Sequence, residues 1–234
     1  MSLLAGMPWL VDEITAVEER FAWMDDLEED YILPAIAVVA GVPQDEVIRR
    51  LHGDLGAGRR LTAKQAADET VHVGRSEDLV GVGTVGDLVF VVEASGYTTA
   101  IPGVLRDLSR GGRCFSVQID INGGDSVHYA VDGELVVFEE HWGPISPLRA
   151  GDPRWETEWC RGLIDVEDET EIWGMKIFAL MERVMGATVH PSWFTEPLDT
   201  YAVPLASGYA RTPAWAVPCK DRARCLPDPD LSLH

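Results

Sequence analysis

The sequence predicts an α+β protein built around an antiparallel β-meander sheet packed by a few helices. Three observations predict it. Arg113 to Ile121 alternates, with Phe115, Val117, Ile119 and Ile121 on one side and Cys114, Ser116, Gln118 and Asp120 on the other. A period of two describes a strand with one buried face. Two turn sequences, Asn122-Gly123-Gly124-Asp125 and Asp132-Gly133, divide Arg113–Ile121, Ser126–Val131 and Glu134–His141 into three successive strands. Asp-Gly is a strong hairpin signal because glycine accepts positive φ at little steric cost. Apolar residues at helical spacing flank this β-rich centre.

The elements follow in chain order. Asp12 to Glu19 suits a short helix, and Phe21 to Met24 reads as a brief strand or an anchoring segment. Ala35 to Val42 is apolar and β-branched, so it reads as a buried strand, with an Ala-rich helix as the alternative. Pro43 stands near a helix start, Val47, Ile48 and Leu51 mark that helix's buried side, and Gly53 is placed to end it. Thr62 and Gln65 have capping-box spacing for a second helix through Ala67. Leu88 to Val92 is a buried strand and a neighbour for the meander. Pro102 suits the first turn of a helix with Val104, Leu105 and Leu108 on its apolar side and Gly111-Gly112 at its end. Trp155 to Leu163 is a further helix candidate. Thr170 to Met185 is a better one, with Trp173, Ile177, Leu180, Met181 and Val184 on one face and Gly186 as its cap. Six prolines follow from Pro197 to Pro229. The expected division is an acidic leader (1–20), a single α+β domain (21–196) and a Pro-rich tail (197–234) that wraps the body or is partly disordered.

The chain has 234 residues, and 46% are hydrophobic, which supports a sizeable core. Its net charge of −20 comes from 39 acids against 19 bases. Phosphates of free nucleic acid would be repelled, so no direct nucleic-acid ligand is expected. A basic protein partner fits this charge, as does a role in solubility alone. No apolar run reaches the roughly 18 residues of a membrane span. The start, Met1 to Val11, lacks the basic residues of a signal peptide, so the expected location is cytoplasmic. Cys114, Cys160, Cys219 and Cys225 are too widely spaced for a disulfide framework, and reduced thiols are the default.

Few motifs carry chemistry. Gly81-Val82-Gly83-Thr84-Val85-Gly86 has Gly-x-Gly-x-x-Gly spacing but precedes a strand, so no helix N-terminus is there to hold a pyrophosphate. Its structural reading is a flexible turn between strands. Asp120, His128, Glu140 and His141 are the catalytic candidates, because the hairpin can bring His128 and His141 together beside Asp120. No histidine pair has metal-ligand spacing, and Cys219-x5-Cys225 lacks a second pair, so no metal or cofactor is expected. The partner-binding candidates are Asp25, Asp26, Glu28, Glu29 and Asp30, the run Asp165, Glu167, Asp168 and Glu169, and Trp155 with Trp159. The two tryptophans lie four apart, on one face of their helix and beside acids.

Val42-Pro43-Gln44-Asp45-Glu46-Val47-Ile48-Arg49-Arg50-Leu51-His52-Gly53-Asp54 resembles the G-x-(S/T/P)-x-E-E-V-L-R-R-L-G-A-D segment of an uncharacterised actinobacterial family of the DUF6461 type. Blocks in the same order extend the resemblance over roughly Trp23 to Leu198. They include Val91 to Tyr97, Val104 to Gly112, Val117 to Asn122, Tyr129 to Leu135, Leu180 to Gly186 and Pro191 to Phe194. The resemblance implies an actinobacterial or actinobacteriophage origin and a cytoplasmic site. The family carries no assigned activity, so no catalytic residue transfers from it. The acidic leader and the Pro-rich tail with two cysteines depart from its pattern.

The expected function is that of a non-enzymatic acidic binding protein engaging a basic protein partner, as an immunity or antitoxin-like protein or a phage–host interaction factor does. The alternatives are an enzyme or small-ligand sensor with its site on the polar face of the meander, and a DNA mimic.

Overall fold

A computed structural model describes residues 16, 19–24, 35–70, 77–94, 96–119, 126–140 and 175–204, with the side chains of 138–140 and 175–176 outside that description. Eight strands form one sheet: β1 (Ala35–Ala40), β2 (Arg59–Leu61), β3 (Glu77–Val85), β4 (Leu88–Glu93), β5 (Arg113–Gln118), β6 (Ser126–Val131), β7 (Glu134–Glu140) and β8 (Leu198–Pro204). Their order is β2-β8-β3-β4-β1-β5-β6-β7, and every neighbouring pair is antiparallel. The described α-helices are α1 (Gln44–Arg50), α2 (Ala63–Thr70), α3 (Pro102–Ser109), α4 (Met175–Met185) and α5 (Ser192–Thr195).

The meander is present as β5-β6-β7, but it forms only one flank of the sheet. Leu88–Val92 was expected beside it, whereas β1 lies between, pairing Ala35 with both Glu93 and Gln118. The composition of β1, AIAVVA, suits that place: it is apolar on both faces, as a strand covered on both sides must be. At the other flank, β8 enters between β2 and β3. Leu198–Pro204, assigned to the tail from its prolines, is thus an inner strand, with Pro204 at its last position, where a missing N–H does least harm. Residues 205–234 lie outside the described part.

The sheet is covered on both faces. Phe90, Phe115 and Tyr129 pack with Ile177, Phe178 and Met181 of α4, Trp193 and Phe194 of α5, and Phe21 and Met24. The Phe21–Met24 segment is thus an anchor, and its described residues are helix and turn rather than strand. Val39, Val91 and Ala130 pack on the opposite face with Val47, Ile48 and Leu51 of α1 and Val104, Leu105 and Leu108 of α3. The result is two helical layers around an antiparallel sheet.

This arrangement overturns one expectation. Cys114 and Ser116 were placed on the side away from the strand's one buried face, yet both are fully buried. The cause is the α1 and α3 stripes, which need an apolar surface and find it on that side.

The glycines of Gly81 to Gly86 also differ from a flexible turn. Gly81 and Gly83 lie inside β3, and only Gly86, at φ +59°, belongs to the turn into β4. Gly83 is opposite Phe90, and a Cβ there would run into the Phe90 ring. That ring stacks on Trp193, with centroids 3.9 Å apart and planes at 1°. The glycine is a slot for an aromatic side chain.

Candidate functional site

Seven buried polar residues gather on the face covered by α1 and α3, or in the turn above it: Asp78, Glu93, Thr98, Thr99, Ser116, Ser126 and His128. Strand register explains the grouping. Glu93, Ala35, Gln118 and Ser126 form one cross-strand row. Val91, Ala37, Ser116 and His128 form the next row on the same face. A 3-10 turn, Thr98–Ala100, packs over β1, β4, β5 and β6 and closes the rows from above.

Glu93 is the centre of the first row. It is fully buried, and its carboxylate fastens the turn. Oε2 accepts the Thr98 N–H at 2.8 Å; Oε1 accepts the Thr99 N–H at 2.7 Å and the Thr99 hydroxyl at 2.6 Å. Asp78 lies beside it on β3, 7% exposed, with Oδ1 accepting the Leu79 N–H at 2.9 Å. Gly96 lets the two carboxyls share one small space. A Cβ on Gly96 would run into Asp78 Oδ2 and lie 2.5 Å from Glu93 Oε2. Among the described residues, no Lys, Arg or His forms an ion pair with either acid.

Electrostatics follows from this geometry. Two like charges about 4 Å apart repel by about 4 kcal/mol at an effective dielectric of 20. Burial, with the Asp78 charge second, pushes the Glu93 carboxyl up to about 7 against the opposing pull of its hydrogen bonds. Burial also raises Asp78. The two titrate as a unit that keeps its last proton to near-neutral pH.

His128 lies in the second row, fully buried, with Nε2 at 3.0 Å from Ser126 Oγ. Burial pushes its pKa down to about 3, so it is neutral at physiological pH. Ser116 Oγ and Thr98 Oγ1 are buried, with no hydrogen-bond partner among the described residues. Burial raises the Cys114 thiol far above the usual range, so it supplies no thiolate.

Of the catalytic candidates, His128 reaches the interior rather than a solvated face. Glu140 ends β7 in register with Ser126. Asp120 and His141 lie outside the described residues, as do Asp25, Asp26, Glu28, Glu29, Asp30, Trp155, Trp159, Asp165, Glu167, Asp168 and Glu169. No group of three or more metal-ligating side chains occurs among the described residues. The Asp78–Glu93 pair was not singled out from sequence. Its one sequence signal is an acid closing the apolar run Leu88–Glu93.

A family model described as a family of unknown function, DUF6461, matches residues 14–153. The chain belongs to the DUF6461 family. No curated protein and no solved structure matches it. DUF6461 is an uncharacterised, actinobacterial-associated family. The matched segment carries β1–β7 and α1–α3, hence Asp78, Glu93, Ser116 and His128. The inner strand β8 and helices α4 and α5 lie beyond it.

Proposed function

We propose that this DUF6461 protein is a non-enzymatic acidic binding protein whose ligand is a basic protein surface. The observation that carries the reading is the net charge of −20. More than half of the acids fall outside the described residues, in segments that include the Asp25–Asp30 and Asp165–Glu169 runs. Within the described part, many arginines are already matched by acids of the same chain. Arg20 pairs with Glu182, Arg49 and Arg50 with Glu46, Arg59 with Glu69, Arg60 with Asp199, and Arg110 with Asp107. Such exposed pairs add little stability, but they leave few cations to offset the acidic excess. The buried polar rows lie under the helical layer and the 98–100 turn.

No helix among the described residues is long and apolar enough to cross a membrane. An acidic surface of this kind gives fast, steered association that weakens with salt. The test is capture of partners from an actinobacterial lysate by the tagged chain. Proteins of high isoelectric point, retained at about 0.05 M salt and released by about 0.5 M, are expected. Retention of acidic or neutral proteins, unaffected by salt, contradicts the reading. Displacement of the captured protein by duplex DNA would place the chain among DNA mimics.

A further inference from the structure

We propose that Asp78 and Glu93 hold one proton between them, carried on Asp78 Oδ2 and donated to Glu93 Oε2, and that this proton latches segment 96–100 and its exposed Tyr97 to the sheet. Hydrogen-bond capacity decides the location. Both Glu93 oxygens already accept, and together they take three donors from Thr98 and Thr99. That set favours the charged form of Glu93. Asp78 Oδ1 takes one donor, from Leu79, and Oδ2 is the oxygen left facing Glu93 Oε2 across Gly96. A proton on Oδ2 turns two repelling acceptors into a donor and an acceptor.

Among the described residues, the surroundings offer no other compensation. β1 brings only the apolar Ala35, Ala37 and Val39 to this face, and Val203 of β8 stands opposite Asp78. Farther along β8, on the same face, come Tyr201 and Asp199. Glu77, the other acid of this end of β3, is exposed, as is Tyr97 at 52%. The Thr98–Ala100 turn has no titratable side chain. Across β1, β5 contributes Cys114 and β6 contributes His128, both buried and uncharged. When the proton leaves Asp78 Oδ2 for solvent, two carboxylates face each other under the turn. The turn lies on the strands rather than within them, and the three hydrogen bonds to Glu93 fasten it alongside its packing on β1, β4, β5, β6 and α3.

Hydrogen exchange of segment 96–100, corrected for the intrinsic base-catalysed rate, tests this between pH 6 and pH 8.5. In the unaltered chain, protection should fall on the order of tenfold across that range, while β1 and α1 stay protected. Asp78→Asn places an amide N–H where the proton sat, so protection should persist and become independent of pH. Glu93→Gln turns an N–H toward the Thr98 or Thr99 amide, so protection should be lost at every pH. Flat protection in the unaltered chain overturns the proposal. So does an Asp78→Asn chain that keeps the original pH dependence, or one that loses the latch while Glu93→Gln retains it.

Discussion

Glu93 and His128 are both fully buried on one face of the sheet, and burial moves their proton equilibria in opposite directions. The Glu93–Asp78 pair binds its proton more tightly when folded. Its contribution is present below the unfolded carboxylate pKa of 4.5 and is lost as pH rises toward about 7. His128, lowered from 6.5 to about 3, behaves in the reverse sense: its contribution is present above pH 6.5 and is lost as pH falls toward 3. Between pH 4.5 and 6.5 the two slopes oppose each other, each worth about 1.4 kcal/mol per pH unit per proton. Single substitutions should unmask them. Urea unfolding of Asp78→Asn should show stability rising from pH 5 to 6.5, and that of His128→Asn should show it falling. Parallel profiles for the two variants would contradict the assignment. Neither group's burial was legible in sequence. His128 sits in an alternating strand, and alternation reports two faces without saying whether a second helical layer covers the polar one.

Caps and turns were the elements most legible in the sequence, because they depend on residues only a few positions apart. The Thr62–Gln65 box is formed: Gln65 Oε1 accepts the Thr62 N–H at 2.9 Å, and Thr62 Oγ1 accepts the Gln65 N–H at 3.2 Å. Thr62→Ala should therefore cost about 1 kcal/mol in thermal or urea unfolding. The Asp132-Gly133 turn has φ of 49° and 82°, as a hairpin with two left-handed residues requires. It is also tied to the end of α3, where Asp132 Oδ1 accepts the Gly111 N–H at 3.0 Å and Ser109 Oγ accepts the Gly133 N–H at 3.1 Å. Long-range contacts were not legible. Arg50 reaches 57 residues along the chain to donate to the Asp107 carbonyl at 2.9 Å, and also donates to that of Arg110 at 2.8 Å. It thereby caps α3 from α1, and Arg50→Ala should cost about 1–3 kcal/mol. The Gly83 slot is similar. Its spacing resembles a phosphate loop, but the ring that fills it comes from β4. Gly83→Ala should destabilise the chain by about 1–3 kcal/mol and disturb the Phe90–Trp193 stack, read by tryptophan fluorescence.

At the scale of the molecule, α+β class and the β5-β6-β7 meander followed from local pattern, whereas strand order did not. β1 and β8 reach their places from opposite ends of the described chain, and no turn chemistry announces such pairings. The prolines that marked 197–234 as a tail concealed a strand whose neighbours, β2 and β3, lie more than a hundred residues earlier. Charge is the opposite case, since it is fully legible as a sum and says nothing of its distribution. The proposed acidic binding role rests on that sum, and ionic strength tests it most directly. The measurement is quantitative mass spectrometry of proteins retained by the chain at about 0.05 and 0.5 M salt, with and without neutralisation of Asp25, Asp26, Glu28, Glu29 and Asp30. A basic protein held at low salt, released at high salt and weakened by neutralisation is the predicted result. Retention indifferent to both salt and neutralisation would contradict it.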